Sequence, residues 1–388
     1  MEFWDENKNV ETMEVVVIRL YKQGHSMNAI IEKTGMLLEF VDTAIKKRQG
    51  GCQEMRVPFE TMKAEIKRVL IKNGMAEEKA EICAKVHTES SRDGVYSHGL
   101  NRVARFVDHI QKGFVNVNAE PVLMIKSGVF ENYDGNLGPG VLNALFAINR
   151  GVDVAKEHGI GLIALRNTTH WMRGGTYAWE AANKGFIGIC WTNTESCMPA
   201  WGAQKANLGN NPLCIAVPRK EGHVVLDMAM SQYSYGKLQV TRLKNQSLPF
   251  PGGFDNQGNL TTDPGRIEES RRLLPAGYWK GSGLAIVLDL VAAILSNGLA
   301  TCGIDNLAQG SCGGCSQIFV AIDPYIAGGE EFVDRRITQT IAQLKNGEPV
   351  TEGGGIYFPG ELTAKTRQEN MELGIPVDEG IWNELTRL

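Results

Sequence analysis

Apolar positions recur along this chain with two different periods, and the changes of period mark its elements. In Met13–Gln23 the spacing is helical until Gly24 interrupts it. Ser26 stands where it can cap a second short helix through Thr34, and Leu37–Lys47 has the pattern of a third. Gln49–Gln53, with its Gly-Gly pair, reads as a linker. From Pro58 the pattern is more regular. Pro58–Asn73 is predicted as a helix, with proline at the permitted first turn and Gly74 as its C-terminal cap. Glu77–Ser91 and Leu100–Lys112 follow as amphipathic helices, the second burying Val103, Phe106, Val107 and Ile110. Helices at Val141–Glu157 and Thr176–Asn183 then alternate with strands at Gly161–Leu165 and Phe186–Trp191. Further strands are predicted at Leu213–Val217, Val224–Met228 and Gln317–Ile322, and long helices at Gly283–Ser296 and Glu330–Leu344. The expected fold class is mixed α/β.

Composition narrows the picture. At about 150 residues per domain, 388 residues make two or three folding units. With 43% hydrophobic and 22% charged residues the chain is too apolar to be disordered. Forty basic against 44 acidic residues leave a net charge of −4, which gives no whole-chain reason to bind nucleic acid. Cys190 and Cys214 fall inside apolar runs, where a thiol behaves as a small hydrophobe. Met1–Asn9 is polar and acidic, unlike a secretory leader, and the apolar stretch Leu284–Leu295 contains Asp289 and is short for a bilayer. A reduced, soluble, cytoplasmic protein with no membrane partner is the expectation. Residues 13–48, with the basic tail Lys46–Arg48, have the outline of a helix-turn-helix. They form either a helical appendage or the DNA-contacting part of a metabolite-sensing regulator.

Several loops carry chemistry. His158–Ala164 contains G-I-G-L-I-A, which matches a dinucleotide-binding turn in letters alone. That turn needs a strand before its glycines and a helix after them, and here the order is reversed. Tyr278–Gly283 is a better anion site: Gly281 and Gly283 permit close backbone approach, a helix starts there, Lys280 adds a charge and Trp279 a flat surface. In Asp93–Arg102, Ser97 can cap the following helix, which places His98 in its first turn and Arg102 four residues on. A histidine able to protonate a carbonyl and an arginine able to hold a carboxylate suit a 2-oxo acid, although a surface pair fits the same spacing. The helix terminus should lower the His98 pKa. Asn167–Gly175 follows a strand and offers His170, Trp171 and Arg173 together. Asp227 ends an apolar run and can orient a histidine, accept from a cofactor hydroxyl or cap the strand. Cys312-Gly-Gly-Cys315 has no second pair at metal-binding spacing, so incidental thiols in a glycine loop are expected.

Six segments together carry a resemblance: Gly94–Gly99 (G-V-Y-S-H-G), His158–Asn167, His170–Gly175 (H-W-M-R-G-G), Gly188–Asn193, Leu274–Gly283 and Ser316–Asp323. From Pro58 onward the chain resembles the malate/L-lactate dehydrogenase family of NAD(P)-dependent reductases. H-W-M-R-G-G resembles the branch acting on a diketo sugar acid. The resemblance implies a mixed-sheet, non-Rossmann α/β reductase fold over residues 58–388, built as two intertwined subdomains with the cofactor part central. Residues 1–57 would be a helical extension without counterpart. It also implies His98 as proton donor, Arg102 on the substrate carboxylate, His170 as a second active-site histidine and Asp227 beside them. Cofactor contacts carry over to His223, Val224, Val225, Leu226, Asp227, Met228 and Ala229, to Trp279 and Lys280, and to Gly360 and Glu361. The F-P-G-E segment is one residue shorter than that branch's version. The implied cofactor is NADH, with NADPH as the alternative, and the implied substrate is a 2-oxo sugar acid. Malate, lactate and ureidoglycolate-type acids are the rivals. No metal is implied, and the family implies a cytoplasmic homodimer with sites near the subunit interface.

Overall fold

A computed structural model describes residues 55–388 except 244, 311, 312 and 351–353, together with Leu20, Ser26, Ala29, Ile30 and Lys33. Ser26 Oγ accepts from Ala29 N at 3.3 Å, which is the expected capping contact. The rest of the predicted N-terminal helices and linker, and Cys312, lie outside the described residues.

The short strand β1 (Arg56–Val57) leads into helices α1 (Phe59–Lys72) and α2 (Glu77–Arg92). Two 3₁₀ turns, Tyr96–His98 and Leu100–Arg102, precede α3 (Val103–Gln111). The hairpin β2 (Val122–Ser127) and β3 (Phe130–Asp134) leads through α4 (Gly140–His158) to β4 (Ile160–Thr168). Next come α5 (Gly175–Asn183), β5 (Ile187–Thr192), β6 (Leu213–Val217), β7 (Val224–Met228) and α6 (Tyr235–Leu243). A small excursion holds β8 (Gly253–Phe254), β9 (Leu260–Thr261) and α7 (Pro264–Ser270). It is followed by α8 (Trp279–Ser296), α9 (Thr301–Asn306) and β10 (Cys315–Ile322). The chain closes with α10 (Gly329–Lys345), α11 (Glu361–Leu373), β11 (Ile375–Pro376) and α12 (Glu379–Arg387).

Seven strands form one sheet in the order β2-β3-β4-β10-β5-β6-β7. Only β3 and β4 run parallel, joined by α4; the other neighbours are antiparallel. The central strands are apolar on both faces because both are covered. Ile163, Leu165, Phe319 and Ala321 pack with α4 and α5, while Ala164, Ile318 and Val320 pack with Ala292 of α8. α1, α2, α3 and α12 share a second core around Ile66, Leu70, Val103 and Leu385. A third surrounds Met198, Met230, Ile267 and Leu273.

Gly159 ends α4 at φ 79° and β4 begins at the next residue, so helix precedes glycine and strand follows. The fold is the mixed-sheet, non-Rossmann arrangement. Three expectations are corrected. The helix predicted from Leu100 starts at Val103, because the chain first makes two 3₁₀ turns, and Ile110 is only half-buried. The helix predicted from Gly283 starts at Trp279. The stretch judged short for a bilayer lies within that 18-residue helix, whose mean hydropathy of 1.5 is high enough for a span by length and composition, with 39% of it buried in the protein.

Glu131, 1% exposed, joins the β2–β3 hairpin to α4. It accepts from Arg150 Nε and Nη2, each at 2.7 Å, and from Tyr133 Oη at 2.7 Å. The Arg150 hydrogen bonds outweigh burial and hold its carboxyl at about 2. That stabilisation is complete above the ordinary value of 4.5 and is lost as pH falls toward 2. Glu131→Gln should therefore lose about 1.5–3 kcal/mol at pH 7 in urea unfolding, the range for hydrogen bonds to a charged group, and its deficit relative to the native chain should shrink as pH falls from 4.5 toward 2. An unchanged pH dependence would refute the assignment.

Candidate active site

The segment after β4 is fixed by two neighbouring side chains that enter different cores. Trp171 packs with the sheet core and Met172 with the helical core, and Met172 takes φ 63° to allow it. Tyr177 donates through Oη to Trp171 O. His170 Nδ1 accepts from Met172 N at 3.0 Å, so a neutral His170 carries its proton on Nε2. Burial first, and Arg102 second, hold its pKa well below the ordinary value.

His170 lies beside His98, with ring centroids 5.8 Å apart and an interplanar angle of 19°. Ser97 Oγ is 3.0 Å from His98 Nδ1. This corrects the sequence expectation: Ser97 engages the histidine and caps no helix, and the chain breaks between two 3₁₀ turns at Gly99. His98 is pushed down to about 4 by burial, then by Arg102 and Arg173, with Asp227 opposing. The direction matches expectation, but burial and the arginine charges are the causes.

Asp227, at the end of β7, accepts from Gly175 N at 3.1 Å, Arg173 Nε at 3.4 Å and Cys214 Sγ at 3.1 Å. A Cβ at position 175 would lie 2.5 Å from Asp227 Oδ2, so only glycine lets α5 begin this close to the carboxylate. Arg173, 5% exposed, also donates from Nη1 to Asp93 Oδ2 at 2.7 Å. Asp93 is shared with Arg367, at 2.9 and 2.7 Å, and with Arg92 at 2.9 Å. Burial raises the Asp93 pKa, but the three guanidiniums outweigh it and hold the carboxyl at about 2.

His98, His170, Arg173, Asp227 and Ala229 border one cavity of about 310 Å³. Thr192, Asn193 and Thr194 after β5, Asn210, Cys315 and Thr363 of α11 border it as well. Thr194, Asn210 and Thr363 escaped the sequence reading; the signal available was that T-N-T follows a predicted strand at the same edge as the His170 loop. Arg102 is not on the cavity wall, yet its charge acts on both histidines.

The remaining candidates stand outside the wall. His223 immediately precedes β7, accepts from Arg219 N at 3.0 Å, and is 3.0 Å from Asn183 Oδ1. Val224, Val225, Leu226 and Met228 continue the edge strand toward Asp227. Gly360 packs on this strand, where Val225 N donates to Pro359 O at 2.9 Å. Glu361 accepts from Phe358 N at 3.2 Å and from Lys345. Trp279 is 63% exposed, with Lys280 Nζ 5.9 Å from its ring centroid. The expected helix-terminus anion cradle is overturned: Lys280, Gly281 and Ser282 already donate to Gly277, Ala276 and Tyr278, and Gly281 packs against Met230 O. Lys280 itself has no ion pair among the described residues.

A half-buried histidine pair, an arginine acting on it and a carboxylate at a strand-end rim define an acid–base enzyme on a sheet without the dinucleotide glycine turn. The sequence profile described as malate/L-lactate dehydrogenase matches residues 57–386. A 2,3-diketo-L-gulonate reductase of Citrobacter koseri is 43% identical over 336 residues, covering 86% of this chain and 100% of that protein. Among solved structures, the sulfolactate dehydrogenase of Methanocaldococcus jannaschii is 31% identical with TM-score 0.75, covering 86% of this chain and 96% of that one. Malate dehydrogenase of Pyrococcus horikoshii OT3 is 29% identical with TM-score 0.78, covering 86% and 95%. The chain belongs to the malate/L-lactate dehydrogenase family. It is an oxidoreductase of a pyridine-nucleotide-dependent class that interconverts CH–OH and oxo groups.

Gly175→Ala should displace Asp227 while leaving the core intact. The expected outcome is at least a tenfold loss of kcat with an unchanged circular-dichroism spectrum. Full activity would show that the Gly175–Asp227 approach has no bearing on the site.

Proposed function

We propose that this protein reduces the C2 ketone of 2,3-diketo-L-gulonate to 3-dehydro-L-gulonate with NADH, in the cytoplasm. The observation that carries this reading is the joining of His98, His170 and the H-W-M-R-G-G loop at one cavity. The 43% identity to a reductase of that name supports the substrate. The free cysteines among the described residues are in keeping with a reducing compartment.

The residues fit a dinucleotide. Lys280 offers a cation with no ion pair among the described residues, Trp279 an exposed ring, and the edge strand β7, on which Gly360 packs, leads to Asp227. When bound, the nicotinamide supplies the hydride. The family resemblance gives the substrate carboxylate to Arg102, which stands behind the wall of this cavity, and His98 gives its proton to the C2 oxygen. Ser97 fixes the His98 ring through Nδ1, leaving Nε2 for the substrate. Asp227, held by Gly175 N, Arg173 and Cys214, keeps a negative charge near His98 and favours the imidazolium. The arginines disfavour the imidazolium in the empty site. An arriving carboxylate offsets their charge, so substrate binding and protonation of His98 reinforce each other.

His98→Ala should lower kcat by about 10²–10⁴ and leave the NADH dissociation constant, read by nicotinamide fluorescence, within about threefold. With His98 at about 4 in the free enzyme, kcat/KM for reduction should fall about tenfold per pH unit from 6 to 8, followed at 340 nm. For oxidation it should stay flat, because the base form already predominates. A variant keeping more than a tenth of native kcat would sink the proton-donor role. Running NADH, NADPH, 2,3-diketo-L-gulonate, oxaloacetate and pyruvate in the same assay fixes cofactor and substrate together.

A homodimer is the assembly this reading carries. On α8, Val287, Leu290 and Ile294 lie on one face and are 54%, 50% and 72% exposed. Val122, Leu123, Met124 and Ile125 on the edge strand β2 are each about half exposed. Apolar faces of this kind are normally covered by another chain. Light scattering should give twice the 42.6 kDa chain mass, and Leu290→Asp with Ile294→Asp should reduce it to the monomer. A monomeric native protein would refute the assembly.

A further inference from the structure

The loop that carries His170 and Arg173 leaves specific donors without acceptors. His170 uses Nδ1 as an acceptor from Met172 N, so its ring proton sits on Nε2, which has no partner among the described residues. Arg173 spends Nη1 on Asp93 and Nε on Asp227, and its Nη2 likewise has no partner among the described residues. Both residues border the cavity. The guanidinium is held in place, its side chain 5% exposed and fixed to a carboxylate that is itself 3% exposed, while its free edge is open to the cavity. Donors held in place at a cavity wall offer a bound ligand two oriented hydrogen bonds.

Under the reading above, Arg102 takes the substrate carboxylate and His98 the C2 oxygen. The next oxygen along a 2,3-dioxo acid is that on C3. We propose that Arg173, through Nη2, and His170, through Nε2–H, bind the C3 oxygen, and that this pair makes the site specific for 2-oxo acids oxygenated at C3. A 2-oxo acid with a bare C3 forgoes both fixed donors, and sites built around such donors reject analogues lacking the acceptor. The inference rests on the proposed 2-oxo acid chemistry and adds to it the residues that set substrate choice.

The test compares kcat/KM for 2,3-diketo-L-gulonate with that for pyruvate, which has a methyl group at C3. Arg173→Gln removes the cationic donor. His170→Asn keeps an acceptor within reach of Met172 N–H but withdraws the Nε2–H. In each variant the ratio of the two kcat/KM values should fall about 10- to 100-fold, mainly through a higher KM for the diketo acid. If Arg173→Gln does not fold, because it strips Asp93 and Asp227 of their partner, His170→Asn carries the test alone. Equal losses on both acids would assign the pair a purely structural role and overturn the inference. An unchanged ratio would overturn it as well. A native enzyme that reduces pyruvate and ignores the diketo acid overturns the proposed substrate together with this inference. A native preference for the diketo acid that both variants retain overturns the inference alone.

Discussion

One buried carboxylate facing three guanidiniums sets the architecture around the cavity. Asp93 closes α2 and receives hydrogen bonds from Arg92, Arg173 and Arg367, which come from α2, the loop after β4, and α11. Arg173 is 80 residues away in sequence and Arg367 is 274. Apolar packing also holds α2 and the loop after β4, but it does not hold α11. α11 has Asn370 as its only fully buried residue. It is held by Arg367 on Asp93, by Asn370 Nδ2 donating to Arg92 O at 2.7 Å, and by Arg367 lying 4.5 Å from the centre of the Trp179 ring. Those polar anchors bring Thr363 to the cavity wall.

The same positive charge acts with opposite sign on different groups. Arg173 helps to hold Asp93 ionised far below the ordinary carboxylate range and, after burial and Arg102, discourages the imidazolium of His98, while burial and then Arg102 do so at His170. Asp227 restrains the effect on His98 and is in turn held by Arg173. The resting site is therefore an electropositive enclosure around neutral histidines. That arrangement favours capture of an anion first and proton storage second.

Much of this fold was legible in the sequence. Helix limits at Phe59–Lys72, α4 and α5, and strand limits at β6 and β7, fall within a residue or two of expectation. In those segments periodicity, glycine and proline act together. The β2–β3 hairpin was missed because β2 is exposed along its whole length and its apolar run lacks the alternation of a half-buried strand. The start of α3 was misread because a possible cap, Ser97, is drawn to the neighbouring histidine instead. The separate loops carrying His98, His170 and Asp227 could each be picked out, but their convergence depends on Asp93, Arg367 and the close approach at Gly175. Those are long-range pairings, and local spacing holds no trace of them.

Trp171 and Met172 point into different cores, one after the other in the chain. The backbone between His170 and Arg173 is thereby clamped from two sides, and moving it would require two cores to unpack at once. The clamp also separates shape from chemistry at position 170, where the side chain can be exchanged over a backbone that stays put, whereas Arg173 is tied to Asp93 and Asp227. Lineages descended from such a scaffold can acquire new substrates by one or two replacements, with the catalytic geometry inherited unchanged.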